Sequence, residues 1–180
     1  MILAGRVEAF EPLVRPYRQP LLGLARRMTQ NMEDAKEASQ ETLLRAFRYM
    51  RRYDPERSFK NWLFGILVNE VRKIRAARPK APISLPPGLE AAGQLSSEVP
   101  PEERFFRRET RSQLMECLEV LSPREKEVFL LRDIEELSIK DSAGILGITS
   151  VSVRVHLSRA RRKMKSAILD RYPHLAKESP

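Results

Sequence analysis

Two groups of side chains in this sequence have the types and spacing to act on nucleic acid. The first is Trp62, Asn69, Arg72 and Lys73, which fall with Gly65 on one face of a segment with helical period. One ring, one amide and two cations can stack on an unpaired base, hydrogen-bond its edge and neutralise the phosphates beside it. Tyr53 and Phe59, flanking the loop just before, add ring surface; Phe59 and Trp62 could instead fill a core against Phe47. The second group is Ser152, Arg154, Val155, Ser158 and Arg159, in a basic segment that continues through Arg161, Arg162 and Lys165. Arginine can hold guanine O6 and N7 with two hydrogen bonds, and an apolar residue such as Val155 can touch a thymine methyl. The later cations suit phosphates. The plain alternative for each group is a solvated helix face.

Other chemistry is poorly provided for. There is one cysteine, Cys117, and there are two histidines, His156 and His174, so neither a disulfide framework nor a thiolate or histidine metal site is expected. Neither GxxxxGK[ST] nor GxGxxG occurs, and no nucleophile–base pair or pair of carboxylates suggests catalysis. The expectation is a protein that is not an enzyme and carries no cofactor. No run of 18 apolar residues occurs, so no membrane insertion is expected. Met1 to Phe10 lacks the apolar core of a signal peptide, which points to a cytoplasmic protein.

The charge agrees with a polyanionic partner. The 180 residues carry a net charge of +9, with 42% hydrophobic residues, enough to build a core. Residues 1–78 hold +7, residues 79–147 hold −4 and residues 148–180 hold +6, so two basic ends flank an acidic middle. Within that middle, residues 79–101 contain six of the thirteen prolines and no sustained period. That stretch reads as an irregular linker, spanning roughly 27 Å as a coil and about 70 Å extended. It divides the chain into modules at 1–78 and 102–180.

The elements that must position both groups read as helices. Pro16 should break the first segment, and Pro20 can open a helix over Leu21 to Met28. Asn31 can cap the next helix, whose buried stripe is Ala35, Ala38, Thr42, Leu43, Ala46, Phe47 and Met50. Its other face shows Glu37, Gln40, Glu41, Leu44 and Arg48. After a break at residues 53–57, Ser58 can cap a helix reaching about Ala77, with Leu63, Leu67, Val71 and Ile74 inward. In the second module, Ser122-Pro123-Arg124-Glu125 is a capping box opening a helix through about Asp133. Ser138 starts a short helix ending at Gly147, and Thr149 starts a longer one reaching about Leu169. A short helix, a tight turn and a longer basic helix form a helix-turn-helix.

With these motifs in order, the chain resembles an RNA polymerase sigma factor of the extracytoplasmic-function (group 4) type of the sigma-70 family. The resemblance covers about residues 7–78 and 102–169. MEDAKEASQETLLRAFRYMRRYDPERSFKNWLFGILVNEVRKIRAARP is similar to the family's region 2, and LSPREKEVFLLRDIEELSIKDSAGILGITSVSVRVHLSRARRKM to its region 4. The resemblance implies an all-α fold of two helical domains and a promoter-specificity subunit that binds core polymerase and promotes melting. It implies that Glu37, Gln40, Glu41 and Leu44 dock on the clamp helices of the polymerase β′ subunit. It implies that Tyr53, Ser58, Phe59, Asn61, Trp62, Asn69, Arg72 and Lys73 handle the single-stranded −10 element. Ser152, Arg154, Val155, Ser158, Arg159 and Arg162 are assigned the duplex −35 element. Region 4 would also touch the β flap, and an anti-sigma factor is expected. Lys36 stands where the family carries an acid, and Val151 where it carries glycine.

A stand-alone helix-turn-helix regulator, with residues 1–78 as a dimerisation or sensor domain, is the rival reading. It predicts tight duplex binding without polymerase. The Trp62–Asn69 face, better suited to single strands, speaks against it.

Overall fold

The computed structural model describes residues 7–77 and 113–173, and all regular structure among them is helical. The linker expected at 79–101, the start of the second module at 102 and His174 lie outside the described residues.

The first module contains α1 (Val7–Val14), α2 (Arg18–Thr29), α3 (Met32–Arg48) and α4 (Phe59–Ala77). Pro16 sits in the tight turn Arg15–Tyr17 that separates α1 from α2. There its fixed φ is an asset and its missing N–H costs nothing. Pro20 lies in the first turn of α2, which opens at Arg18 rather than at the expected Leu21. The first-turn amides have no helical partner, so a proline among them is tolerated. Asn31 caps α3 by accepting the Asp34 N–H at 3.0 Å. Ala35, Ala38, Thr42 and Ala46 are buried as the stripe requires, while Leu43 and Phe47 are half-buried. Thr42 is fully buried because its hydroxyl donates to the Ala38 carbonyl at 2.6 Å, which removes the penalty of an orphaned polar group. Against this small-residue stripe α4 buries Leu63, Phe64, Leu67, Val68 and Val71. Phe47 packs edge-on to Phe10, with ring centres 5.3 Å apart, and not against Phe59 and Trp62.

The second module contains residues 113–117 (α5), α6 (Pro123–Phe129), α7 (Ile139–Leu146) and α8 (Ser150–Arg171). The capping box is complete. Ser122 Oγ accepts the Glu125 N–H at 3.3 Å, and Glu125 Oε2 accepts the Ser122 N–H at 2.9 Å. The helix expected to reach Asp133 changes pitch after Phe129, where Leu130–Ile134 forms a wider turn. Leu130 and Leu131, adjacent in sequence, are both fully buried there. Gly147 ends α7 at φ +66°, a left-handed conformation that glycine adopts without a Cβ penalty. Thr149 caps α8 by accepting the Ser152 N–H at 3.1 Å. Val153, Leu157, Ala160, Met164 and Ala167 point inward, with Ile168 half-buried beside them.

The two modules touch. Helix α4 lies along α7, and a Cβ placed on Gly65 would sit 4.0 Å from Ile145 Cγ1. Arg72 donates twice to Glu127, from Nε at 3.0 Å and Nη2 at 2.8 Å. Arg27 and Lys60 both reach the Glu135 carboxylate, at 2.6 and 3.5 Å. Gln30, at the left-handed end of α2, accepts from Lys126 Nζ at 2.8 Å.

Candidate nucleic-acid interface

On the first module the expected residues fall into two neighbouring clusters. Ser58 caps α4, its Oγ accepting the Asn61 N–H at 3.3 Å, which sets where the helix begins. The rings of Tyr53, Phe59 and Trp62 then gather at that end. Centre-to-centre distances are 5.2 Å for Tyr53–Phe59, 5.1 Å for Tyr53–Trp62 and 5.6 Å for Phe59–Trp62. Tyr53 is held by its hydroxyl, which donates to the Arg57 carbonyl at 2.6 Å and closes the 53–57 loop. All three rings are half-buried, so each keeps surface for stacking. Tyr17 joins them, 5.6 Å from Phe59 and edge-on. Sequence reasoning missed Tyr17, since it sits in a proline-rich turn with no periodic signal; its place beside Pro16 was the only hint.

Asn69 lies about two turns further along α4, roughly 10 Å from Trp62 along the axis, and Arg72 and Lys73 about three turns, roughly 15–17 Å. With Arg45, Tyr49 and Ile66 they line an open groove between α3 and α4. Asn69 and Lys73 are exposed, and Lys73 pairs with Glu70 at 2.8 Å. Arg72 is half-buried and faces the second module, where its hydrogen bond to Glu127 raises its pKa. So the face read from the sequence is split: the rings cluster at one end, Asn69 and Lys73 are exposed with Lys73 paired to Glu70 on its own helix, and Arg72 is engaged across the modules.

The α3 set is displayed on the outer side of that helix. Glu37, Gln40 and Leu44 are exposed, Leu44 at 44%. Glu41 is half-buried and accepts from Arg45 Nε at 2.9 Å; the same nitrogen lies 2.9 Å from Glu70 on α4. Glu41 therefore ties the α3 surface to the helix that carries the groove.

On α8 the structure sorts cations that the sequence left equivalent. Arg161 makes a two-pronged pair with Asp133 at 2.6 and 2.8 Å, a hydrogen bond that raises its pKa. Lys163 donates to Glu125 at 2.7 Å. Both are used within the module. Arg154, Arg159 and Arg162 are exposed and form no ion pair with a described residue. Val155 is 43% exposed beside them, and Ser158 is exposed. Ser152 is half-buried, its Oγ 2.9 Å from Thr149 Oγ1, so it serves the cap as well as the surface. A helix that buries one stripe and shows arginines and a valine from its first turns can enter a major groove.

Among the described residues there is no His, Cys, Asp and Glu group able to hold a metal, and no helix long and apolar enough to cross a membrane.

Comparison with known proteins agrees with this arrangement. Residues 13–79 match the family model for Sigma-70 region 2, and residues 111–164 match that for Sigma-70, region 4. The ECF RNA polymerase sigma factor SigW of Bacillus subtilis is 27% identical over 172 residues, covering 92% of each chain. The structure of CnrH in complex with the cytosolic domain of CnrY is similar at 26% identity and a TM-score of 0.65, covering 94% of this chain and 92% of CnrH. RpoE of Bartonella quintana, solved with the anti-sigma factor NepR, shares the fold with a TM-score of 0.67 at 20% identity over 90% of this chain and 98% of that one.

Proposed function

The chain belongs to the sigma-70 family of RNA polymerase sigma factors, and on that premise we propose how its residues divide the work of promoter recognition. A sigma factor binds core polymerase, recognises −10 and −35 elements and promotes DNA melting; the rival, a stand-alone regulator, is not favoured. Residues 1–78 form the module for core docking and the −10 element, residues 79–101 the linker, and residues 102–180 the −35 module. Glu37, Gln40, Glu41 and Leu44 form the surface offered to the β′ clamp helices, and the second module meets the β flap.

The single observation that carries the DNA assignment is the pairing of two unlike surfaces on one chain. Rings of Tyr53, Phe59 and Trp62 gather beside Asn61, while α8 presents exposed arginines and Val155. Half-buried rings suit extruded bases, whose stacking offsets an unstacking cost of a few kcal/mol per base. Arg154, Val155, Ser158 and Arg159 read base edges in paired DNA, Ser152 orients the helix start, and Arg162 holds a phosphate. Asn69 and Lys73 follow the single strand from the groove, with Arg72 joining when it is released. The protein contributes binding energy and no catalytic group, and its working place is the cytoplasm. A partner that holds it inactive, seated across both modules, is part of the same reading; CnrH was solved in complex with the cytosolic domain of CnrY, and RpoE with the anti-sigma factor NepR.

Run-off transcription from a promoter library with core polymerase tests the reading. New start sites that depend on the protein are expected. Identical start sites with and without it would overturn the proposal.

A further inference from the structure

Val151 is the most exposed large hydrophobic side chain among the described residues, at 66%. It is the second residue of α8, whose start is fixed when Thr149 Oγ1 accepts the Ser152 N–H. The side of α8 that packs inward carries Val153, Leu157, Ala160 and Met164. A helix turns about 100° per residue, so Val151 stands about opposite Ala160. By the same rotation Ser158 and Arg162 lie within about 20° of Val151, Val155 at about 40° and Arg159 at about 80° on one side, and Arg154 at about 60° on the other. Val151 therefore falls near the middle of the arc assigned to the −35 element, at its N-terminal end.

That position decides what the side chain can meet. The N-terminal residues of a recognition helix are the ones that reach base edges. A valine side chain has no polar atom, and the apolar feature of the major groove is the thymine C5 methyl. In the free chain Val151 adds no burial to the fold; against a methyl it would leave water. Val155, 43% exposed, stands one turn further on. Side chains four apart on a helix have Cβ atoms about 5–6 Å apart. Base pairs stack about 3.4 Å apart, so the two valines match methyls separated by one or two steps. Around them Arg154, Arg159 and Arg162 are exposed and form no ion pair with a described residue. Two valines among free cations fit a polyanion with apolar points on it, which is the major groove of DNA, better than an apolar protein groove.

We propose that Val151 is a specificity-determining residue that acts with Val155, each valine taking the methyl of one thymine in the −35 element. The element read by this chain then carries two thymines no more than two base pairs apart. The proposal rests on the assignment of α8 to the −35 element.

The test assembles holoenzyme from core polymerase and the full chain, wild type or variant, and measures its affinity for promoter fragments whose −35 element comes from the run-off library. Val151 is exposed and alanine favours a helix, so Val151→Ala keeps the fold. Each thymine of the element is replaced in turn by deoxyuridine, which removes the methyl and nothing else. For the wild type, two such replacements no more than two base pairs apart are expected to weaken binding about fourfold each, the effect of burying one carbon. In Val151→Ala one of these losses is expected to vanish, and in Val155→Ala the other. A −35 element without such thymines, a wild type indifferent to every methyl, or losses that persist in Val151→Ala overturns the proposal. So does a Val151→Ala chain that no longer binds core polymerase, which would make the valine a polymerase contact. The −35 reading is scored separately by transversions at the same positions. Wild-type affinity unchanged by them fails that reading and the proposal with it. Affinity that falls on transversion but not on loss of a methyl leaves the reading standing and fails the proposal alone.

Discussion

The centre of the Tyr53 ring lies 5.1 Å from that of Trp62, with the two planes tilted by 42°. Phe59 completes the group at 5.2 and 5.6 Å. Three half-buried rings on a loop and a helix start form a surface on which a base can stack without rearranging the core. Trp62→Ala is expected to leave duplex binding intact and to reduce the permanganate reactivity of −10 thymines in the open complex. Unchanged reactivity would make Trp62 a packing residue.

Arg154 and Arg161 lie seven residues apart on α8 and are expected to behave differently. Arg154→Ala should cost roughly 1–3 kcal/mol of discrimination among −35 variants while sparing polymerase binding. Arg161→Ala removes the exposed pair with Asp133 and should cost under about 1 kcal/mol of stability, with −35 discrimination retained. Measured affinities for a −35 panel decide the matter. Equal losses for both variants would refute the sorting of the cations.

Two glycines of the helix-turn-helix should respond in opposite directions. Gly147 has φ +66°, so Gly147→Ala imposes left-handed strain of about 1–2 kcal/mol. Gly144 lies inside α7, and a Cβ added there would have open space for 4 Å around it, so Gly144→Ala should stabilise by about 1 kcal/mol through helix propensity. Thermal unfolding of the two variants gives both signs directly.

Lys126 predicts an alkaline signature. Burial first, and then the nearby Arg75, lower its pKa from 10.5 to about 8, with Glu119 pulling the other way. Between these values the unfolded chain holds a proton that the folded chain has released, so the penalty of burying the charged amine, present in full below about pH 8, is relieved and stability rises as the pH goes from about 8 towards 10.5. Lys126→Met should abolish that rise and stabilise the protein at neutral pH. Urea unfolding at several pH values would show it, and parallel curves for the two proteins would refute it.

Helix identities were legible because their signals are local. Asn31, Ser122, Ser138 and Thr149 each cap the helix they announced, since a cap needs only an oxygen within three residues of free amides. The stripe Val153, Leu157, Ala160 and Met164 is buried, since periodic apolar residues have one way to leave water. Less legible were the widened turn at Leu130–Ile134 and the entry of Tyr17 into the ring cluster. Neither has a periodic or capping signature.

What the sequence determined by itself is the succession of helices, the helix-turn-helix and the residue types offered to DNA, because caps, stripes and turn glycines act over a few neighbours. Tertiary structure alone decided which charges remain available. Arg161 and Arg162 are adjacent in the chain, yet only Arg161 meets Asp133; Arg72 and Lys73 are adjacent, yet only Arg72 meets Glu127. Ion pairs between residues 28 and 55 positions apart depend on how the helices pack, and no local pattern encodes that distance.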